Sequence, residues 1–200
     1  MVENEARAAH EAHEAAANDR TMFGFWIYLM TDLIMFSVLF AVYAVLHNNV
    51  VGGETARDLL SLPLALQSTL LLLTSSFTCG IAMIAARRYD KFQTILWFGI
   101  TFILGAIFLS LEMKEFTELI HEGQTLKTNA FTSAFFVLVG THGLHITSGL
   151  LWIAVTLGYI VKRGLNSNMV RKLALISLFW HFLDIVWIFI FTIVYLGAFV

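Results

Sequence analysis

Trp180-His181-Phe182-Leu183-Asp184-Ile185-Val186-Trp187 lies in the middle of an apolar stretch that runs from Leu173 to Gly197. An imidazole and a carboxylate stand three positions apart there, with a tryptophan on each side. On insertion scales an aspartate at the centre of a bilayer costs about 2.5–3.5 kcal/mol, so a carboxylate in such a stretch is paired, useful or both. A spanning helix needs about 20 predominantly apolar residues. Working outward, four more stretches qualify, and together the five cover residues 23–46, 64–86, 92–113, 131–161 and 173–197.

The composition agrees. Of 200 residues, 58% are hydrophobic and 13% are charged, with one proline. A soluble domain carries roughly 25% charged residues, so the bilayer is the solvent for most of this chain. The expected fold is an all-α integral membrane protein, a bundle of five transmembrane helices over residues 23–200. It is preceded by a polar tail, residues 1–22. That tail is Ala-rich and acidic, unlike the basic-then-apolar start of a secretory signal. Its His10 and His13 read as solvated residues or as metal ligands. The single Cys79 excludes a disulfide framework. No basic block points to nucleic acid as a partner.

Positive charge sets the orientation. Arg7, Arg20, Arg87, Arg88, Lys91, Lys162, Arg163, Arg171 and Lys172 fall on one side, against Arg57, Lys114 and Lys127 on the other. The positive-inside rule then places the N-terminus in the cytoplasm and the C-terminus in the periplasm. Trp26, Tyr28, Trp97, Trp152, Tyr159 and Tyr195 mark helix ends, where amphipathic rings favour the interface. Gly99, Gly105, Gly140, Gly143 and Gly149 offer places for close helix approach.

Three groups of polar residues invite a functional reading. His142 and His145, in Thr141-His142-Gly143-Leu144-His145, share a helix face, as do His181 and Asp184. They read either as heme or metal ligands or as polar ties between helices. The second reading is preferred, because no Glu-x-x-His pair of the di-metal kind lies within the five apolar stretches. Asp32, inside the first span, reads as a proton-handling carboxylate or as one tied to Thr31, Ser37 or a neighbouring helix. Glu112 and Glu115 close the third span and read as a solvated outer rim, or as a rim for lipid headgroups. Two further classes remain open at this level: a stand-alone membrane cytochrome, and a proton-coupled transporter. The lack of an internal repeat weighs against the transporter.

After residue 20 the chain resembles subunit III of the heme–copper respiratory oxidases. The resemblance is carried by Gly140-Thr141-His142-Gly143-Leu144-His145 and by Trp180 through Trp187, with Glu112-x-x-Glu115 and Asp32 in the same pattern. Five spans in place of seven, and Asp rather than Glu at position 32, resemble the cytochrome bo-type ubiquinol oxidase branch. Cytochrome c oxidase subunit III is the alternative. The resemblance implies a non-catalytic subunit of a proton-pumping terminal oxidase in the bacterial cytoplasmic membrane. It implies that heme and copper reside in subunit I, that ubiquinol is the substrate of the complex, and that this chain binds no metal or redox cofactor. Subunit I, subunit II, a small subunit IV and phospholipid are the expected partners. Asp32 matches the family's membrane carboxylate. His142, His145, Trp180, His181, Asp184 and Trp187 match its buried polar motif, expected to tie helices and line a lipid cleft.

Overall fold

A computed structural model describes residues 2–47, 61–121, 123 and 130–198, with side chains from residue 20 onward. The side chains of His10 and His13, and the loop positions Arg57 and Lys127, lie outside the described residues. The helices are α1 (Val2–Leu46), α2 (Leu62–Arg87), α3 (Lys91–His121), α4 (Ala130–Arg163) and α5 (Ser167–Ile190). A π-helical turn, Phe191–Tyr195, and a short 3-10 turn, Leu196–Ala198, follow α5. Five segments are long and apolar enough to cross a bilayer: Arg20–Leu46, Leu62–Arg87, Lys91–His121, Ala130–Arg163 and Ser167–Leu196. The expectation of five membrane-length helices therefore holds, and no strand occurs among the described residues.

The chain forms two units, Met1–Met35 and Phe36–Val200. The first is the N-terminal part of α1, helical from Val2. In the second, α2 packs against α3 and α5, and α4 packs against the same two helices, which closes a ring of four. The end of α1 joins this unit through aromatic contacts. Phe36 meets the rings of His142 and His145 at centroid distances of 6.3 and 5.3 Å, and Tyr43 meets Phe131 at 6.0 Å.

Local chemistry sets the helix limits. Pro63 sits in the first turn of α2, where its missing N–H leaves no helical bond unmade. Asp90 starts α3, its Oδ1 accepting from the Gln93 N–H at 3.1 Å. Just before it, Tyr89 takes φ 57°, the left-handed conformation that lets the chain turn back within a few residues. Gly164, at φ 80°, ends α4, and Asn166 caps α5 by accepting from Met169 N–H at 2.9 Å.

Three helices outrun their apolar stretches by more than a turn. α1 is helical from Val2 rather than 23, α3 continues to His121, past the expected end at residue 113, and α5 begins at Ser167 rather than 173. In α3 the polar continuation still presents buried Glu115 and Leu119 to the interior, while Lys114 and Glu118 pair on the outside at 3.6 Å. The outer surface is itself apolar, with Phe77, Phe92, Leu144 and Leu151 each more than half exposed. Hydrocarbon rather than water suits such a surface.

Candidate functional site

The interior is organised by a ladder of polar contacts between α2 and α5, which run antiparallel. Cys79 Sγ donates to Ser177 Oγ at 3.6 Å, and the Ser76 hydroxyl and His181 Nδ1 share a hydrogen bond at 2.6 Å. Trp180 Nε1 donates to Ser75 Oγ at 3.0 Å, and Trp187 Nε1 donates to Thr69 Oγ1 at 3.1 Å. Descending positions on α2 meet ascending positions on α5. Both hydroxyls that accept from an indole are also used as donors: Ser75 Oγ gives its proton to Leu72 O at 2.9 Å, and Thr69 Oγ1 to Ala65 O at 2.8 Å. Back-bonding to the helix's own carbonyls fixes the hydroxyl and leaves its lone pairs for the indole. Between membrane helices such ties contribute about 0.6 kcal/mol on average and up to ~1.7 kcal/mol.

The residues of the expected polar motif divide between several environments. Trp180 and Trp187 are core residues, 1% and 0% exposed. Trp180 fits because Gly105 of α3 and Gly149 of α4 lack side chains; a Cβ on Gly105 would stand 2.6 Å from the indole. Of the small residues singled out in the sequence, Gly99 has nothing within 4 Å of its virtual Cβ. The two glycines that matter most admit one ring rather than a neighbouring backbone.

His142 is wholly buried in an aromatic enclosure. It stacks on Trp187 at 5.4 Å and meets Phe108 edge-on at 6.1 Å. Neither ring nitrogen has a hydrogen-bond partner among the described residues. His145, one turn on, is half-buried and donates from Nδ1 to Thr141 O at 2.7 Å. The two imidazoles share a helix but not an environment.

His181 and Asp184 stand at the edge of the core, the imidazole half-buried and the carboxylate buried. With Leu73, Ser76, Phe77, Gly80, Ile81 and Ile84 they line an open groove of about 470 Å³ between α2 and α5. Ser76 lies between the two, bonded to the imidazole and interacting with the carboxylate. The groove shares Ile81 and Ile84 with a second hollow of about 330 Å³, which reaches Arg88, Asp90, Gln93 and Trp97 at the helix ends. Of the six residues expected to tie helices and line a cleft, only His181 and Asp184 line this groove.

Glu112 and Glu115 correct the sequence reading. Neither lies on a solvated rim: each is 4% exposed. The charged Lys114 suggested an interface, but it projects outward while its neighbours on the helix turn inward. Glu115 Oε2 accepts from Tyr195 O–H at 2.8 Å. Tyr195 is fully buried and is not an interfacial marker. In the first unit, Asp32 and Tyr28 of α1 share a side-chain hydrogen bond one turn apart.

The α2 hydroxyls escaped the sequence reading. Ser68, Thr69, Ser75 and Ser76 recur at a seven-residue spacing, two helical turns, and that periodicity in an apolar helix was the available signal. Among the described residues no group of three or more His, Cys, Asp and Glu gathers as a metal site requires. Five membrane-length helices fastened by hydroxyls, indoles and imidazoles define a multi-pass helical membrane protein whose polar interior ties helices together.

The chain belongs to the cytochrome c oxidase subunit III family, whose family model matches residues 2–199. It is 50% identical to cytochrome bo(3) ubiquinol oxidase subunit 3 of Pseudomonas aeruginosa, over 92% of this chain and 88% of that one. It is 49% identical to quinol oxidase subunit 3 of Bacillus subtilis, over 86% and 85%. Cytochrome c oxidase subunit 3 of Bacillus sp. strain PS3 is 46% identical, over 94% and 91%.

Proposed function

We propose that this chain is subunit III of a proton-pumping ubiquinol:oxygen oxidoreductase of the cytochrome o type in a bacterial cytoplasmic membrane. Its N-terminus, with the tail of residues 1–22, is cytoplasmic, and its C-terminus is periplasmic. It packs beside subunit I, which carries heme and copper, together with subunit II and a small subunit IV. It holds no redox centre. It stabilises the complex, holds phospholipid in the groove lined by His181 and Asp184, and supports proton uptake through Asp32.

The observation that carries this reading is similarity along nearly the whole chain to two subunits named for quinol oxidases. The shape of the groove supports the lipid role. An apolar trough bounded by Leu73, Phe77 and Ile84 suits acyl chains, and its continuation reaches the cation of Arg88, which suits a phosphate. The relative named as a cytochrome c oxidase subunit favours a second reading, in which cytochrome c is the donor.

One experiment separates the two. The complex that co-purifies with this chain is given ubiquinol or reduced cytochrome c, and its copper content is measured. Oxidation of ubiquinol by a complex without a dinuclear copper centre in subunit II supports the first reading. Oxidation of cytochrome c by a complex containing that centre overturns it.

A further inference from the structure

The ladder and the groove leave one interior cluster unused. Glu112 and Glu115 stand one turn apart on α3 and so point to the same side. Ser68 of α2 lies beside Glu112, and Tyr195 is within electrostatic reach of both carboxylates. The Ser68 hydroxyl, both oxygens of Glu112 and Oε1 of Glu115 are all buried with no hydrogen-bond partner among the described residues. Orphaned polar atoms from two helices therefore meet at one place. The other groups acting on the cluster are Glu118 of α3 and Tyr43 of α1, and neither is a cation.

The backbone departs from ideal geometry to complete this cluster. Tyr195 follows Trp187 by eight positions. In an unbroken α-helix, at 3.6 residues per turn, the two rings would diverge by roughly 80°. The π turn Phe191–Tyr195 takes up one extra residue, so the eight positions turn through about as much as seven, close to two full turns. Both rings then face inward, 6.1 Å apart, and the phenol reaches Glu115.

An orphaned polar group left dry is costly, and two adjacent negative charges repel strongly at low dielectric. Ordered water offers about three hydrogen bonds to such groups, and a proton on one carboxyl removes the repulsion. We propose that Ser68, Glu112, Glu115 and Tyr195 enclose an internal site for ordered water and one proton. Glu112, which has the Ser68 hydroxyl beside it but lacks the tyrosine hydrogen bond that Glu115 accepts, is the acid that bears the proton. Glu115 is the carboxylate that accepts from the Tyr195 hydroxyl.

The test is infrared absorption of the purified complex at neutral pH, in H₂O and in D₂O, for the unaltered chain and for Glu112→Gln. The expected result is a protonated-carboxyl stretch that shifts in D₂O and is lost in Glu112→Gln. Tyr195→Phe should shift that stretch without abolishing it, because the hydrogen bond to the neighbouring carboxylate is gone. It also carries the test should Glu112→Gln fail to assemble. The proposal is overturned if Glu112→Gln loses no such band, if Tyr195→Phe leaves the band unmoved, or if Glu115→Gln removes a second, separate band. That last outcome would mean that both acids are protonated.

Discussion

Gly105→Ala should loosen the bundle, and the structure gives the size of the effect. A methyl group at Gly105 would lie 2.6 Å from Trp180 Cη2, 2.8 Å from Cζ2 and 3.0 Å from Leu150 Cδ2. Carbon atoms pack best at about 3.5–4.0 Å, so the indole must retreat by roughly 1 Å. It has nowhere to go. Its N–H is bonded to Ser75 Oγ at 3.0 Å, and its other edge already crowds Gly149, where a virtual Cβ stands 3.3 Å away. Overpacking of this kind costs about 1–3 kcal/mol, and a contact this short against an anchored ring belongs at the upper end. Alanine returns about 1 kcal/mol in helix propensity. The net loss is about 2 kcal/mol, more than tenfold in the folding equilibrium.

Gly99→Ala is the control, since nothing lies within 4 Å of its virtual Cβ. It should be neutral or up to about 1 kcal/mol more stable. In a double-mutant cycle, Trp180→Phe removes the benzo ring that Gly105→Ala would strike. The penalty of Gly105→Ala should shrink in that background, with a coupling of about 1–3 kcal/mol. The assay is heating of the detergent-solubilised complex, followed by quantifying this chain in the soluble fraction. If Gly105→Ala melts with Gly99→Ala, or if its penalty is undiminished in the Trp180→Phe background, the argument from the indole's position fails.

Three further outcomes are expected. Trp187→Phe removes the bond to Thr69 Oγ1 and part of the stack on His142, and should lower stability by about 1–3 kcal/mol in the same heating assay. Ser76→Ala takes away the hydroxyl between His181 and Asp184, and native mass spectrometry of the complex should show phospholipid lost from the groove while the subunit stays bound. Asp32→Ala should leave the heme spectrum of the complex unchanged while hastening inactivation during turnover or altering the proton stoichiometry; loss of heme would count against the role proposed for this residue.

Hydropathy alone located the five spans, because a bilayer demands long apolar segments whatever their tertiary contacts. It fixed helix ends less well. The apolar stretch of α3 ends at Met113, just before the charge on Lys114, but a helix can carry charge on one face while burying the next residue. Glu115 and Lys114 are adjacent in sequence and opposite in environment, so no local rule on charge separates them. The polar motif was visible as chemistry, yet its partners were not. Thr69, Ser75 and Ser76 look like ordinary polar breaks in α2 until α5 lies beside them. The π turn left no signature at all, since Phe191-Thr192-Ile193-Val194-Tyr195 would serve equally well as α-helix. It forms where the inward position of Tyr195 and its bond to Glu115 offset the poorer backbone geometry.

The division of roles along α5 follows from about 100° of rotation per residue. Trp180, Leu183 and Trp187 share the inward face, and all three are essentially unexposed. His181 and Asp184 sit one step round, on the flank that meets α2 at the surface of the bundle. Ser75 and Ser76, neighbours on α2, divide in the same way: Ser75 takes the buried indole and Ser76 takes the imidazole at the groove. The inner row is surrounded by protein and admits no exchange of partners. The outer row opens on a groove, so a lipid headgroup, water or a neighbouring subunit can replace one of its contacts while the inner row stays closed. A membrane subunit that must keep its shape while its surroundings change during turnover needs both rows, and an offset of one residue is enough to build them.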